Sequence, residues 1–445
     1  MKTLYWVTND LRLEDNPVLA RASKSESLTI VYCVNPRWFS PFRYHLASLG
    51  SHRWNFLQES ISDMNSSLLK LGQQLLVLYQ RPEIALLEMV NQHSIDRVCV
   101  SRQVGYDEVE TLRYLAEKAP KLSIEQLDSH TLFEQDKLPV PIAQWPDTFS
   151  GFRRKAQQLT SPEPIASPTS LPPPPKNVMR SAGDLQRPHW VPAPCGSACE
   201  FRGGESAAKQ HLDGYFGTAL PLSYKEVRNS IDGWDNSSKM SAWLNSGCLS
   251  VRRLKQRISE YEVQHQSNDS TQWLVVELLW REYFQWSALK LGKRLFSFKG
   301  TAKASPLTSY YPERFQKWCF GSTPYPLVNA CMNQLAHAGY LSNRGRQIAA
   351  SCLVNELEID WRHGAAWFEH QLVDYDVAVN WGNWQYIAGV GADPRGGRHF
   401  NLAKQTEMFD ADGSYRARWV KVAGDLALDT RDAADWPIDV EKWKH

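Results

Sequence analysis

Apolar residues follow two rhythms along this chain, and the change of rhythm marks its organisation. In the N-terminal part, short apolar runs at 4–7, 28–34, 74–79 and 96–100 alternate with amphipathic stretches at 53–71 and 83–92. Runs of that length, bounded by turn residues, read as buried strands; the stretches between them read as helices. The alternation predicts a mostly parallel, Rossmann-like sheet covered by helices, an α/β domain over 1–135. Proline then breaks the pattern. Pro162, Pro164, Pro168 and Pro172 to Pro175 cannot share one helix or a central strand. We therefore predict a long connector over 136–204, Pro-rich and extended over 160–195. From about 205 the spacing turns helical, most clearly at 273–280, 325–338, 343–356 and 365–372. This predicts a large all-α domain over 205–420 and a tail over 421–445.

Composition narrows the class. With 42% hydrophobic and 22% charged residues in 445, the chain can bury a sizeable core and is not wholly disordered. No apolar run is long enough to cross a bilayer. Met1-Lys2-Thr3 leads straight into the first strand rather than into a signal peptide, and eight scattered cysteines fit a reduced, cytoplasmic chain. Residues 1–150 carry 15 Lys+Arg against 18 Asp+Glu, whereas the remainder carries 35 against 30. A nucleic acid, if bound, would favour the second part. Thirteen of the 18 tryptophans lie at or after Trp234. Most are expected in the core, but such clusters also line stacking sites and cofactor pockets.

Several common chemistries lack their signatures. There is no GxGxxG after the first strand and no GxxxxGK[ST], HExxH or GxSxG anywhere. Cys195 and Cys199 have no second close pair, and recruiting His189 and His211 would not make a convincing metal site; none is expected.

Four clusters carry candidate chemistry. Glu277 sits inside an apolar helical run with Trp280 one turn away; a buried carboxylate needs a partner, and none is close in sequence. Carboxylate plus indole suits a flat heterocycle, with a structural Glu–Arg pair as the alternative. Asn343-Arg344-Gly345-Arg346-Gln347 reads as a helix start capped by Asn343, with arginines for acids or phosphates; the alternative is a solvated basic turn. Asp374 and Asp376 precede Asn380-Trp381-Gly382-Asn383-Trp384, and Arg346 is the natural partner for these acids; a capped loop packed by tryptophans is the alternative. Tyr224, Arg228 and Asn236-Ser237-Ser238-Lys239-Met240-Ser241 offer hydroxyls and cations for a phosphate, or form an ordinary polar turn.

Taken together, these segments resemble the photolyase and cryptochrome family. The opening Trp6-Val7-Thr8-Asn9-Asp10-Leu11-Arg12-Leu13-Glu14-Asp15-Asn16 is similar to the family's own. The ordered series Gly203-Gly204-Glu205, Arg228-Asn229, Asn343 to Gln347, Asp360-Trp361-Arg362, Trp367-Phe368-Glu369, Asp374-Tyr375-Asp376, Asn380 to Trp384, Ala388-Gly389-Val390-Gly391 and Asp393-Pro394-Arg395 most resembles the DASH cryptochromes. The resemblance spans the chain to about residue 420.

The resemblance implies FAD in the helical domain. Tyr224, Ser237, Ser238 and Ser241 match its phosphate side. Arg346, Asp374 and Asp376 match its flavin and ribose side, and Asn380 the residue near flavin N5. It implies a methenyltetrahydrofolate antenna beside the α/β domain, with Glu108 or Asp107 as the pterin-contacting carboxylate. Glu277, Trp280, Asn343 and Arg344 match the pocket for a cyclobutane pyrimidine dimer. The implied activity is blue-light-driven electron transfer from reduced FAD that splits the dimer, a lyase reaction. Gln347 and Tyr386 stand where duplex-specific enzymes carry methionine and tryptophan, so a single strand of DNA is the expected partner, with RNA also compatible. A monomer is expected. The alternative is a blue-light photoreceptor that signals through a protein partner. Trp384 and Trp361 match the inner members of a flavin-reducing tryptophan chain, but no tryptophan stands near Thr308, where the outer one belongs.

Overall fold

A computed structural model describes residues 1–175, 188–192, 200–391 and 397–419. Cys195, Cys199, Asp393-Pro394-Arg395, the expected tail and part of the Pro-rich connector lie outside them.

Strands β1 (Lys2–Val7), β2 (Ser27–Cys33), β3 (Leu75–Leu78), β4 (Arg97–Ser101) and β5 (Ser123–Leu127) form one parallel sheet in the order β3-β2-β1-β4-β5. Helices α1 (Pro17–Ala22), α2 (Ser51–Leu69), α3 (Pro82–His93) and α4 (Tyr106–Lys118) complete the α/β domain. Side chains alternate between faces. Leu4, Trp6, Val31, Val98 and Val100 pack with Leu86 and Val90 of α3 and Leu112 and Leu115 of α4. Tyr5, Val7, Ile30 and Tyr32 face the opposite way, into a core that continues through the helical part. The four predicted strands are present. The fifth, Ser-Ile-Glu-Gln-Leu, is a half-exposed edge strand whose polar composition gave no buried-strand signal.

The two parts are joined by a buried polar knot just past β1. Arg12 is 1% exposed and donates to the carbonyls of Glu14 (3.0 Å), Asp15 (2.7 Å), Ser129 (2.7 Å) and Gly247 (2.9 Å). Gly247 has φ +74°, and a Cβ there would lie 1.9 Å from the Asn9 carbonyl oxygen, so only glycine lets these backbones meet. Glu205 answers from the other side, accepting the Leu13 and Glu14 N–H groups at 2.8 and 3.1 Å.

Helix α5 (Phe149–Ala156), capped by Thr148, lies within the expected connector, ahead of the stretch predicted to be extended. The following stretch has no helix or strand through residue 175 but is tied down: Ile165 exchanges two hydrogen bonds with Asp15, and Leu28 N–H donates to the Pro173 carbonyl at 3.2 Å.

Beyond it the fold is helical: α6 (Glu205–Phe216), α7 (Ser241–Ser246), α8 (Val251–His265), α9 (Asp269–Leu291), α10 (Pro312–Cys319), α11 (Pro326–Ala338), α12 (Asn343–Ser351), α13 (Trp361–Gln371), α14 (Val377–Ile387), α15 (Leu402–Phe409) and α16 (Ser414–Trp419). The helix predicted over 343–356 is α12 followed by a single π turn, Cys352–Glu356. Its cap is Ser342, whose hydroxyl accepts from Gly345 N–H at 3.1 Å; Asn343, the expected cap, is the first helical residue. The central strut is α9, 23 residues and so about 35 Å long, started by an Asn268/Thr271 capping box. Its interior charges are all engaged. Arg281 donates to the His130 carbonyl at 2.7 Å, and Glu282 accepts from Leu132 N–H, Phe133 N–H and Trp286 Nε1 at 2.8, 3.2 and 2.8 Å.

Candidate functional site

A cavity of about 970 Å³ opens among α7, α9, α12 and α14, at the upper end of the roughly 300–1,000 Å³ usual for small-molecule sites. It collects Tyr224, Arg228, Ser237, Ser238, Ser241, Glu277, Trp280, Asn343, Arg344, Arg346, Gln347, Asp374, Asp376, Asn380, Trp384 and Tyr386. These residues come from segments up to 162 positions apart, Tyr224 to Tyr386, and of the site candidates only Trp361 and the alternatives Glu108 and Asp107 are not on its wall.

Glu277 finds the partner its sequence neighbours could not supply. Its Oε1 lies 2.6 Å from Arg228 Nη2 and accepts from Trp273 Nε1 at 2.9 Å. Burial pushes its carboxyl above the usual range, against the pull of Arg228 and Trp273. The structural Glu–Arg pair is therefore real, and it forms part of the cavity wall. Trp280 is held on one face by Phe149 of α5, ring centroids 3.6 Å apart and planes 7° apart. Tyr386 meets it nearly edge-on, at 6.4 Å and 75°, and shares its hydroxyl with Arg398. Arg344 donates to Asn229 Oδ1 at 3.1 Å and rests over the Phe409 ring at 4.7 Å.

The two acids do not share Arg346. Asp374 takes both bonds from Arg346 Nη2, at 2.8 and 3.0 Å, and a third from the Ser241 hydroxyl at 2.7 Å. Asp376 instead caps α14, accepting from Val379 N–H at 2.9 Å, and takes Gln285 Nε2 at 2.8 Å. Burial alone would raise Asp376, but contact with His130 and the charge of Arg281 hold it near 2. His130 is pushed down to about 4 by burial and by Arg281, so it is neutral at neutral pH. Asn380 donates to the Ala365 carbonyl at 3.0 Å, which fixes its amide in the wall.

This donor set fits FAD. Ser237, Ser238 and Lys239 give hydroxyls and a cation at one end for a diphosphate. Asp374, Asp376 and Asn380 give acceptors and an amide for ribose hydroxyls and a flavin edge, and Trp384 closes the wall with an apolar face.

Two candidates stand apart. Glu108 is an exposed residue on α4; the protein crowded around its carboxyl, and then the charges of Asp107, Glu369 and Asp376, push that carboxyl above the usual range. Trp361 is 1% exposed, donates to the Phe298 carbonyl at 2.9 Å, and has Trp381 as ring neighbour at 5.8 Å. Trp384 has Phe368 at 5.1 Å and Trp318 at 6.2 Å. Tyr310, 40% exposed, stacks on His363 at 4.0 Å.

Residues that sequence reasoning missed are those that brace others: Phe149, Phe284, His130, Gln285 and Arg398. Phe149, His130 and Gln285 are not marked locally, because their partners are remote in sequence; Phe284 stands one turn from Trp280 on α9 and was legible from helical spacing, and Arg398 is 12 residues from Tyr386.

The comparisons agree with this geometry. Residues 3–175 match the family model for DNA photolyase, and residues 273–443 that for the FAD binding domain of DNA photolyase. A Cryptochrome DASH from Idiomarina loihiensis is 46% identical over 439 residues, which is 98% of this chain and 96% of that protein. A Synechocystis sp. cryptochrome structure superposes with TM-score 0.87 at 39% identity, covering 94% of this chain and 88% of the other. A class III photolyase from Agrobacterium tumefaciens gives 0.78 at 27%, covering 94% and 86%. The class is thus that of FAD-binding photolyases and cryptochromes, proteins of light-dependent DNA repair or photoreception. Within it, the chain belongs to the DASH-type cryptochromes. No helix among the described residues is long and apolar enough to cross a membrane.

Proposed function

We propose that this protein is a blue-light-driven photolyase that repairs cyclobutane pyrimidine dimers, with preference for single-stranded DNA. The observation that carries this is one cavity lined both by Glu277 and Trp280 and by Asn380, Asp374 and Trp384. A dimer edge and an isoalloxazine would therefore share a single space.

Bound and reduced, FAD would supply the light-driven electron that opens the cyclobutane ring and would recover it from the split product, with no net oxidation. The chain's residues do the rest. Glu277, fixed by Arg228 and Trp273, presents its carboxyl to the dimer's hydrogen-bonding edge. Trp280, its other face covered by Phe149, offers one face for stacking. Arg344 and Asn343 at the rim hold backbone phosphate. Arg346 and Asp374 lock each other and Ser241 against the cofactor. Glu108, whose carboxyl is pushed above the usual range, is the residue we assign to a methenyltetrahydrofolate antenna.

Strand preference follows from the same wall. Flipping a dimer out of a duplex costs a few kcal/mol. With Gln347 and an edge-on Tyr386 in place of a larger wedge, the wall has only the Trp280 face to repay it. A single strand carries no such cost.

The test is illumination of the purified, reduced protein with blue light. The substrate is one dimer in a single-stranded oligonucleotide or in the matching duplex, with dark controls. Light-dependent repair of the single strand alone is expected. Equal rates on both would sink the strand preference. Repair of neither, with reduced FAD shown to be bound, would replace repair by photoreception.

A further inference from the structure

A second, smaller cavity of about 220 Å³ lies behind the dimer wall, and Trp280, Phe284 and Tyr386 line both. Its other side is built by Phe149 of the connector helix and Tyr283 of α9, with the Ser287 side chain also in its lining. The walls are fixed before anything binds. Phe149 is stacked on Trp280, and the Tyr283 hydroxyl donates to the Asp147 carbonyl. Lys290 ties the connector to α9 by bonds of 2.7 Å to both the Trp145 carbonyl and Asp147 Oδ1. Rings on several sides favour a flat, uncharged heterocycle. Among the described lining residues the one cation is Lys290, which is engaged by Asp147, so a phosphate is poorly served.

We propose that this cavity takes the base of a nucleotide flanking the dimer on the same strand, splayed from its neighbours and packed among the rings. The proposal rests on the dimer-binding reading above and extends it to the neighbouring nucleotide. A strand seated in the large cavity has only the Trp280–Tyr386 wall to step over before the adjoining base reaches the small one. Aromatic platforms of this kind take any base, because every base has a π-face. In a duplex the flanking base is paired, and reaching the cavity would add a second unpairing to that of the dimer. The small cavity would therefore also discriminate against duplex.

The test measures binding of dimer-containing single strands in which the base on either flank is intact or replaced by an abasic residue. An undamaged strand is the control, and wild-type protein is compared with Ser287→Phe, which fills the cavity from its wall. For wild type, removing the base on one flank is expected to weaken binding on the order of tenfold, the scale of base–aromatic stacking, while the other flank matters little. In Ser287→Phe the intact strand should bind as weakly as the abasic one, with no further loss on removing the base. If neither abasic strand loses affinity in wild type, the proposal is wrong; that outcome needs no variant. It is also wrong if the loss persists undiminished in a folded Ser287→Phe. Equal affinity for dimer-containing and undamaged strands would instead show that the dimer reading has failed, and the flanking-base proposal would fall with it.

Discussion

Replacing Glu277 by glutamine separates a substrate-reading carboxylate from a merely structural one. The glutamine keeps the shape and an oxygen for Trp273 Nε1, now 2.9 Å away, but removes the charge that faces Arg228 at 2.6 Å. Two effects of opposite sign follow. A hydrogen bond involving a charged group contributes about 1.5–3 kcal/mol, so discrimination between dimer-containing and undamaged strands should fall on the order of 10- to 100-fold. At the same time Arg228 loses its counter-charge close to Arg344, whose own pKa is lowered by burial and then by Arg228. Two less compensated cations at the mouth attract any phosphate backbone. Affinity for the undamaged strand should therefore rise, and the slope of log K against log salt should steepen by up to about 0.7, the value for one added phosphate contact on a single strand. Fluorescence anisotropy on both strands across a salt series reads both numbers. If Glu277→Gln weakens both strands alike and leaves the slope unchanged, the carboxylate only holds Arg228 in place, and the reasoning is refuted.

Two further outcomes are expected. Asp376 is held near 2, below its ordinary 3.8, so its charge stabilises the fold above that ordinary value, and the contribution is lost as pH falls through about 2. Asp376→Asn should cost about 2 kcal/mol near neutral pH, and in urea unfolding the gap from wild type should close between about pH 4 and 2; a constant gap would assign the loss to the changed helix cap instead. Trp361→Phe should slow light-driven reduction of the bound flavin, followed by absorbance. An unchanged rate there, with a slowed one in Trp318→Phe, would move the route to the ring that neighbours Trp384 at 6.2 Å.

The chain's own patterning determined much. Uninterrupted apolar runs specified four parallel strands, because a strand covered on both faces has no polar positions to alternate. Helical spacing located α9, α11, α12 and α13 but not α7 or α14 beside the cavity, and the ordered motifs pointed to the residues that line it. Other features were not legible. Strand β5 lies at the sheet edge, where water satisfies one side and composition need not be apolar. The 343–356 run could not reveal its π turn or its true cap, since both depend on a choice between adjacent hydrogen bonds.

Pairing was the larger gap. Sequence could say that Glu277, Asp374 and Asp376 needed partners, because isolated charge is costly to bury. It could not say that Arg228 would serve the first, that Arg346 would serve Asp374 alone, or that Asp376 would turn to Gln285 and His130. Those choices follow from how the helices pack, with α9 setting Glu277 beside Arg228 and Gln285 beside Asp376. The same holds for Phe149: in sequence it is one aromatic in a connector, and only the packing of α5 on α9 makes it the support of Trp280 and a wall of the second cavity. Local chemistry sets what each side chain requires; the tertiary structure decides who supplies it, because the supplier lies on another element, from 28 residues away for Asp374 to 246 for the His130 contact of Asp376.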